Sequence, residues 1–95
     1  MQTEEYYFLI KGFVQKTISV ETFISNYISL MRSEVEPIFD EKIFAILEDL
    51  FEDIDAYSPM VLPENETQLL ISENTLREEA RVAVKELEKV LGYNQ

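Results

Sequence analysis

The 95-residue chain contains neither cysteine nor histidine. Without cysteine there are no disulfides, no thiolate nucleophiles and no zinc–thiolate sites, and without histidine the usual general base and the commonest transition-metal ligand are missing. Glycine occurs only twice, and neither a glycine-rich phosphate loop nor a Ser/His/Asp constellation can be traced. No apolar run approaches the roughly 20 residues of a membrane span. The opening MQTEEYYFLI also carries Glu4 and Glu5 where a secretory signal is basic. The expectation is a cytoplasmic protein that is not an enzyme, with no cofactor and no metal.

Positive charge is scarce as well. Eight Lys and Arg face 19 Asp and Glu, a formal net charge of −11. Such a chain repels nucleic acid and anionic membranes, so the complementary partner is a basic protein. The imbalance is local: residues 34–66 hold 11 acids and one base, Lys42, for a net −10, while the rest of the chain is nearly neutral. The hydrophobic fraction of 46% supports a globular core. A chain of this length buries only about 60–68% of its unfolded surface, which suits one core and not two. The whole chain, 1–95, is therefore read as a single domain.

Apolar spacing predicts four amphipathic helices and no strand. Tyr6, Tyr7, Ile10, Phe13 and Val14 mark the first, over residues 3–15. Gly12 lies inside it at a cost of about 1 kcal/mol against alanine, which is read as close packing of another helix at that point, with a hinge as the other possibility. Ser19 is placed to cap a second helix whose apolar face is Val20, Phe23, Ile24, Tyr27, Ile28 and Met31. SEVEPIFD breaks the pattern at Pro37, and Asp40 caps a third helix over 41–57. Its seam is Ile43, Leu47, Leu50, Ile54 and Tyr57, widened by Phe44 and Phe51. An irregular connection of about 14 residues follows, longer than most helix-to-helix links. Its closing LLI reads as extended or helical. Ser72 caps the fourth helix, which buries Leu76, Ala80, Ala83, Val84, Leu87 and Leu91 and stops at Gly92. The fold class is all-α, a small antiparallel four-helix bundle.

The segment EDLFEDIDAY places five carboxylates in ten positions of the third helix. At 100° per residue, Glu48, Glu52 and Asp55 form one stripe and Asp49 and Asp53 a second, both opposite the seam. Like charges four apart, as in Glu48/Glu52 and Asp49/Asp53, destabilise a helix by about 0.2–0.5 kcal/mol each. Asp53 and Asp55 also lie near the negative end of the helix dipole. The run reads as a solvated face, as a partner for the basic stripe Arg77, Arg81, Lys85 and Lys89, or as a binding surface. Those bases have nearer partners in Glu73, Glu78 and Glu88, and the acidity continues through Glu64 and Glu66. Both facts favour a surface that occupies a basic groove normally filled by a phosphate backbone.

Two chemical alternatives are weaker. Asp53, Asp55 and Glu64 fall at positions 1, 3 and 12 of a calcium loop, but Tyr57, Ser58 and Pro59 stand where a ligand, a glycine and a flexible carbonyl are needed. Paired carboxylates for glycoside chemistry require a cleft and split pKa values, which an exposed helix face does not offer.

In order and spacing, KTISVETFISNYISLMR, LEDLFEDIDAYSP and LLISENTLREEARVAVKELEKVL resemble the bacterial self-protective colicin-like immunity proteins of the colicin D type, over residues 8–91. The likeness rests on the Leu50-Phe51 pair with Tyr57 and Pro59 beyond it, and on the closing Ile71-Ser72-Glu73 and Leu76-Arg77. It implies a monomeric four-helix bundle in a 1:1 complex with the nuclease domain of a cognate toxin, a basic enzyme that cuts transfer RNA, delivered as a colicin or by contact-dependent inhibition. It further implies that acidic side chains at the end of the third helix and in the turn after it cover the toxin's active site as RNA mimics. Asp55 matches one such acidic position, whereas the next two fall on Ser58 and Met60. The expected partner-binding set is Glu48, Asp49, Glu52, Asp53, Asp55, Tyr57, Ser58, Met60, Glu64 and Glu66. Met60 reads equally as an exposed apolar anchor or as a loop residue folded back on the core. The alternative function is an acidic helical adaptor for a basic protein unrelated to toxins.

Overall fold

Each helix after the first begins at a residue whose side chain satisfies its free backbone amides. The computed structural model describes residues 2–33 and 40–93, with helices α1 (Gln2–Val14), α2 (Val20–Arg32), α3 (Glu41–Ala56) and α4 (Glu73–Leu91). The Ser19 hydroxyl accepts from the Thr22 amide at 3.1 Å, the Asp40 carboxylate from Lys42 and Ile43 at 2.9 and 3.1 Å, and the Ser72 hydroxyl from Thr75 at 3.3 Å. Each such cap contributes about 1 kcal/mol against alanine. α4 ends at Gly92, whose left-handed φ of 78° lets its own amide and that of Tyr93 reach the Glu88 carbonyl. The break foreseen at Pro37 falls in residues 34–39 and lies outside the described residues.

The helices run up, down, up, down. Phe13 at the end of α1 meets Phe23 at the start of α2, and Tyr6 meets Tyr27 one pair of turns further on, so these two are antiparallel. The start of α1 likewise lies at the end of α4, where Tyr7 donates to Glu88 at 2.7 Å and Tyr93 to Glu4 at 3.1 Å. At the opposite end Arg77 of α4 lies over the Phe13 ring, donates to the Phe13 carbonyl and pairs with Glu73 at 2.6 Å. α3 is antiparallel to α4, since the Ala56 carbonyl accepts from the Ile71 amide just before α4 begins. The foreseen antiparallel bundle is the observed fold.

One apolar core is shared by all four helices, with Tyr6, Ile10, Phe13, Phe23, Tyr27, Leu47, Leu50, Leu76, Ala80 and Leu87 almost entirely enclosed. Its centre is a file of rings: Phe13 stacks on Phe23 at 4.2 Å, and Tyr27 meets both Phe23 and Tyr6 edge to face. The Tyr27 hydroxyl, buried among these rings, donates to the Leu47 carbonyl of α3 at 2.8 Å. That bond ties α2 to α3 and removes an otherwise costly buried polar group.

Two packing expectations need correction. Phe44 does not widen the α3 seam but is 49% exposed, because it lies 100° round the helix from the buried Ile43; Phe51 does pack against the core. Gly12 is crowded by a turn and not by another helix. A side chain there would meet the Thr17 hydroxyl at 3.2 Å and Ile18 at 3.9 Å, because the α1–α2 turn folds back so that the Thr17 amide and hydroxyl both donate to the Gly12 carbonyl. Lys16 holds that turn in the left-handed region, at φ 64°.

Candidate protein-binding interface

The five carboxylates of α3 share one helix but not one environment. Asp49, Glu52 and Asp55 are exposed, while Glu48 and Asp53 are half-buried. The reading of two stripes opposite the seam is therefore corrected on both flanks. Glu48 leans towards α2, where its charge adds to burial in raising the Tyr27 hydroxyl above the ordinary tyrosine range. Asp53 is only about 60° round the helix from the buried Leu50, and α4 closes over that flank. With Ile46, Asp49 and Leu50, Asp53 lines a groove whose far wall is Glu79, Val82, Ala83 and Glu86. Burial, then the charges of Glu79, Asp49 and Glu52, push the Asp53 carboxyl up to about 6.

Nothing on α4 neutralises this cluster among the described residues. Arg77 and Arg81 pair within their own helix, with Glu73 at 2.6 Å and Glu78 at 3.3 Å. Both pairings follow from three- and four-residue spacing on one helix. Glu88, foreseen as a further partner for the bases, accepts instead from the Tyr7 hydroxyl, to which Lys11 also donates at 3.2 Å. Among the described residues no ion pair joins α3 to α4, and no group of three acids is arranged to hold a metal ion.

The chain from Ser58 to Ile71 is held shut at its base. The Ser58 amide donates to the Ile71 carbonyl at 3.1 Å and the Ile71 amide to the Ala56 carbonyl at 2.9 Å, which makes an isolated parallel bridge between Tyr57 and Ile71. The run before α4 is thus extended at Ile71. Half-buried Tyr57 is raised by its enclosure, with the charges of Glu73 and Glu21 adding to the effect. The Ser58 hydroxyl accepts from the Met60 amide at 3.3 Å, and Pro63–Asn65 form a single 3-10 turn that leaves Glu64 exposed.

Glu66 is committed inside this loop. Its Oε2 accepts from both the amide and the hydroxyl of Ser72, at 2.7 and 2.8 Å. In a capping box the carboxylate that reaches the N-cap amide sits three residues into the helix. Here Thr75 occupies that position, and Glu66 supplies the carboxylate from the loop. Hydrogen bonds from Thr75 and Ser72 hold its carboxyl below the ordinary range. The Thr67 hydroxyl caps the next turn by accepting from the Leu69 and Leu70 amides, each at 3.1 Å.

This ordered loop carries large apolar side chains into solvent. Met60 is 86% exposed, so of its two readings the outward one holds, and Leu69 is 81% exposed, with Leu62 and Leu70 also on the surface. Read from the sequence as extended or helical, the LLI run gives Leu69 and Leu70 no surface role. The signal was Thr67, two residues before Leu69, a residue type that turns the chain by bonding amides further on.

The molecule is thus a small helical module whose α3 carboxylates have no ion-pair partner among the described residues and whose next loop exposes apolar side chains. The family model described as bacterial self-protective colicin-like immunity matches residues 1–87, and the chain belongs to that family. It is an immunity protein, one that binds and neutralises a cognate toxin. No curated protein and no solved structure matches the chain.

Proposed function

We propose that the toxin is a basic nuclease of the colicin D type that cleaves transfer RNA, and that this chain blocks it in the producer's cytoplasm as a monomer in a 1:1 complex. The acidic side of α3, with Glu48, Asp49, Glu52, Asp53 and Asp55, takes the place of RNA phosphates in the toxin's basic site. Tyr57, Ser58, Met60 and Glu64 extend that surface into the following loop, whose shape Glu66 holds by accepting from Ser72. The observation that carries the reading is the set of α3 carboxylates left without a cationic partner among the described residues. Repulsion held on a rigid helix is released when guanidinium or ammonium groups arrive, so the charge acts chiefly in the complex. The protein itself does not touch RNA, since like charges repel.

The test is inhibition of transfer RNA cleavage by the C-terminal domain of the toxin encoded beside this chain's gene. Wild type is compared with a Glu52→Gln, Asp53→Asn, Asp55→Asn variant at low and moderate salt. Expected are full protection by wild type and an association rate about tenfold lower or more for the variant at low salt, with the gap narrowing as salt rises. Equal rates at every salt concentration would remove the acidic face from the interface. Binding without protection would point to a toxin of another chemistry.

A further inference from the structure

We propose that the loop over residues 58–71 is a preformed apolar anchor that seats in a hydrophobic depression beside the toxin's basic site. This rests on the immunity reading above and adds a contact that charge mimicry does not require. Met60 and Leu62 lie on the outgoing limb, and Leu69 and Leu70 on the returning one. The limbs meet where Ser58 bonds Ile71. Met60 and Leu69 are each two residues from that junction, within about 7 Å of chain, so the two most exposed large apolar side chains among the described residues share one small base.

The backbone beneath them is built and not merely left over. Glu66 latches the returning limb to the cap of α4, Thr67 fixes the turn that presents Leu69 and Leu70, and Ser58 holds the amide of Met60. Closed-ended loops of this length, ordered by their own side chains, are commonly functional. Their cost of ordering is met before binding, which favours affinity.

Charge decides what covers the anchor. Asp55 at the end of α3 and Glu64 in the loop are both exposed and lie within five residues of Met60. A second copy, itself at −11, would bring these acids face to face with its own, and an anionic membrane would be repelled in the same way. A basic protein with an apolar depression at the rim of its site fits both features. In such a contact the apolar side chains govern dissociation and the carboxylates govern association.

The experiment measures binding kinetics for the same neighbouring toxin domain with wild type, the Glu52/Asp53/Asp55 charge variant, and a Met60→Ser, Leu69→Ser variant. Melting temperature and sedimentation are recorded for each. The loop variant is expected to melt as wild type does, because both side chains are already in water. Its Kd should rise at least about thirtyfold, mostly through faster dissociation and with the salt dependence unchanged. Wild-type affinity in the loop variant would overturn the anchor and leave the immunity reading intact. Loss of a wild-type dimer in the loop variant, with toxin affinity unchanged, would overturn it too and assign the patch to a second copy. A wild-type chain that does not bind the domain would overturn both readings together.

Discussion

Asp53→Asn should make the free protein more stable, by a margin that opens above about pH 4. In the folded chain the carboxyl titrates near 6, against an ordinary 3.8, because part-burial in the α3–α4 groove and the charges of Glu79, Asp49 and Glu52 all oppose ionisation. Among the described residues no basic side chain lines that groove, whose α4 wall is Glu79, Val82, Ala83 and Glu86. For a fully enclosed group the displacement would be worth roughly 3 kcal/mol, at about 1.4 kcal/mol per decade. Asp53 is only half-buried, and solvent screening reduces the figure to about 1 kcal/mol.

The sign follows from where protons are held. Between pH 4 and 6 the folded chain keeps the Asp53 proton that the unfolded chain has lost, so this group's contribution to stability falls as pH rises through the folded value. Below pH 4 a protonated Asp and an Asn are equivalent in charge and the two proteins should melt together. From pH 4 to about 6.5 the gap should open, reaching an increase of about 4–8 °C in melting temperature at neutral pH. Thermal melts of both proteins from pH 3.5 to 8 measure it. A variant that melts lower than wild type at pH 7, or a gap that does not change with pH, would refute the reasoning.

Replacing Lys16, at φ 64° in the α1–α2 turn, by glycine should stabilise the fold by about 0.5–1 kcal/mol, since the gain in left-handed backbone exceeds the added entropy of the unfolded chain; urea denaturation reads this directly. Tyr27→Phe removes the buried bond to the Leu47 carbonyl and should cost about 0.5–1.5 kcal/mol, with the larger part of the change in the unfolding rate if α2 and α3 dock late. Glu66→Ala should speed amide exchange at Ser72, which donates to Glu66, while leaving Leu76 and the rest of the core protected. Because the Glu66 carboxyl is held below its ordinary range, its contribution to stability is present above the unfolded pKa and is lost as pH falls through the folded one. The same local loosening should therefore appear in wild type under acid conditions.

The helices were legible because their signals are local. Ser19, Asp40, Ser72 and Gly92 each act on amides or carbonyls within one turn, and apolar spacing along a helix needs no knowledge of its neighbours. The misreadings depend on what comes from elsewhere in the chain. A helical wheel of α3 sets Asp53 on the flank of the seam, about 60° from Leu50, but how far it is buried depends on α4, which supplies Glu79, Val82, Ala83 and Glu86 as the far wall of the groove. A glycine inside α1 signals a close approach, yet the approaching group at Gly12 belongs to a turn with no periodicity and not to another helix. Within the loop, composition identifies an irregular link; it does not show that Glu66 closes back onto Ser72, because that bond joins residues six apart with no periodic spacing to mark it.

On the proposed reading, charge and shape divide the work of recognition. Carboxylates on a rigid helix attract any basic nuclease site, so the acidic face by itself distinguishes poorly between one toxin and another. Discrimination needs a feature that fits one partner and clashes with others, and exposed apolar side chains on an ordered loop are of that kind. Met60, Leu62, Leu69 and Leu70 take no part in the enclosed core, and the bonds that shape the loop come from its backbone, Ser58, Glu66 and Thr67. The four apolar positions are thus free to vary in size and branching without disturbing the bundle or the acids on α3. A scaffold arranged in this way lets partner choice change while stability and electrostatic attraction stay fixed.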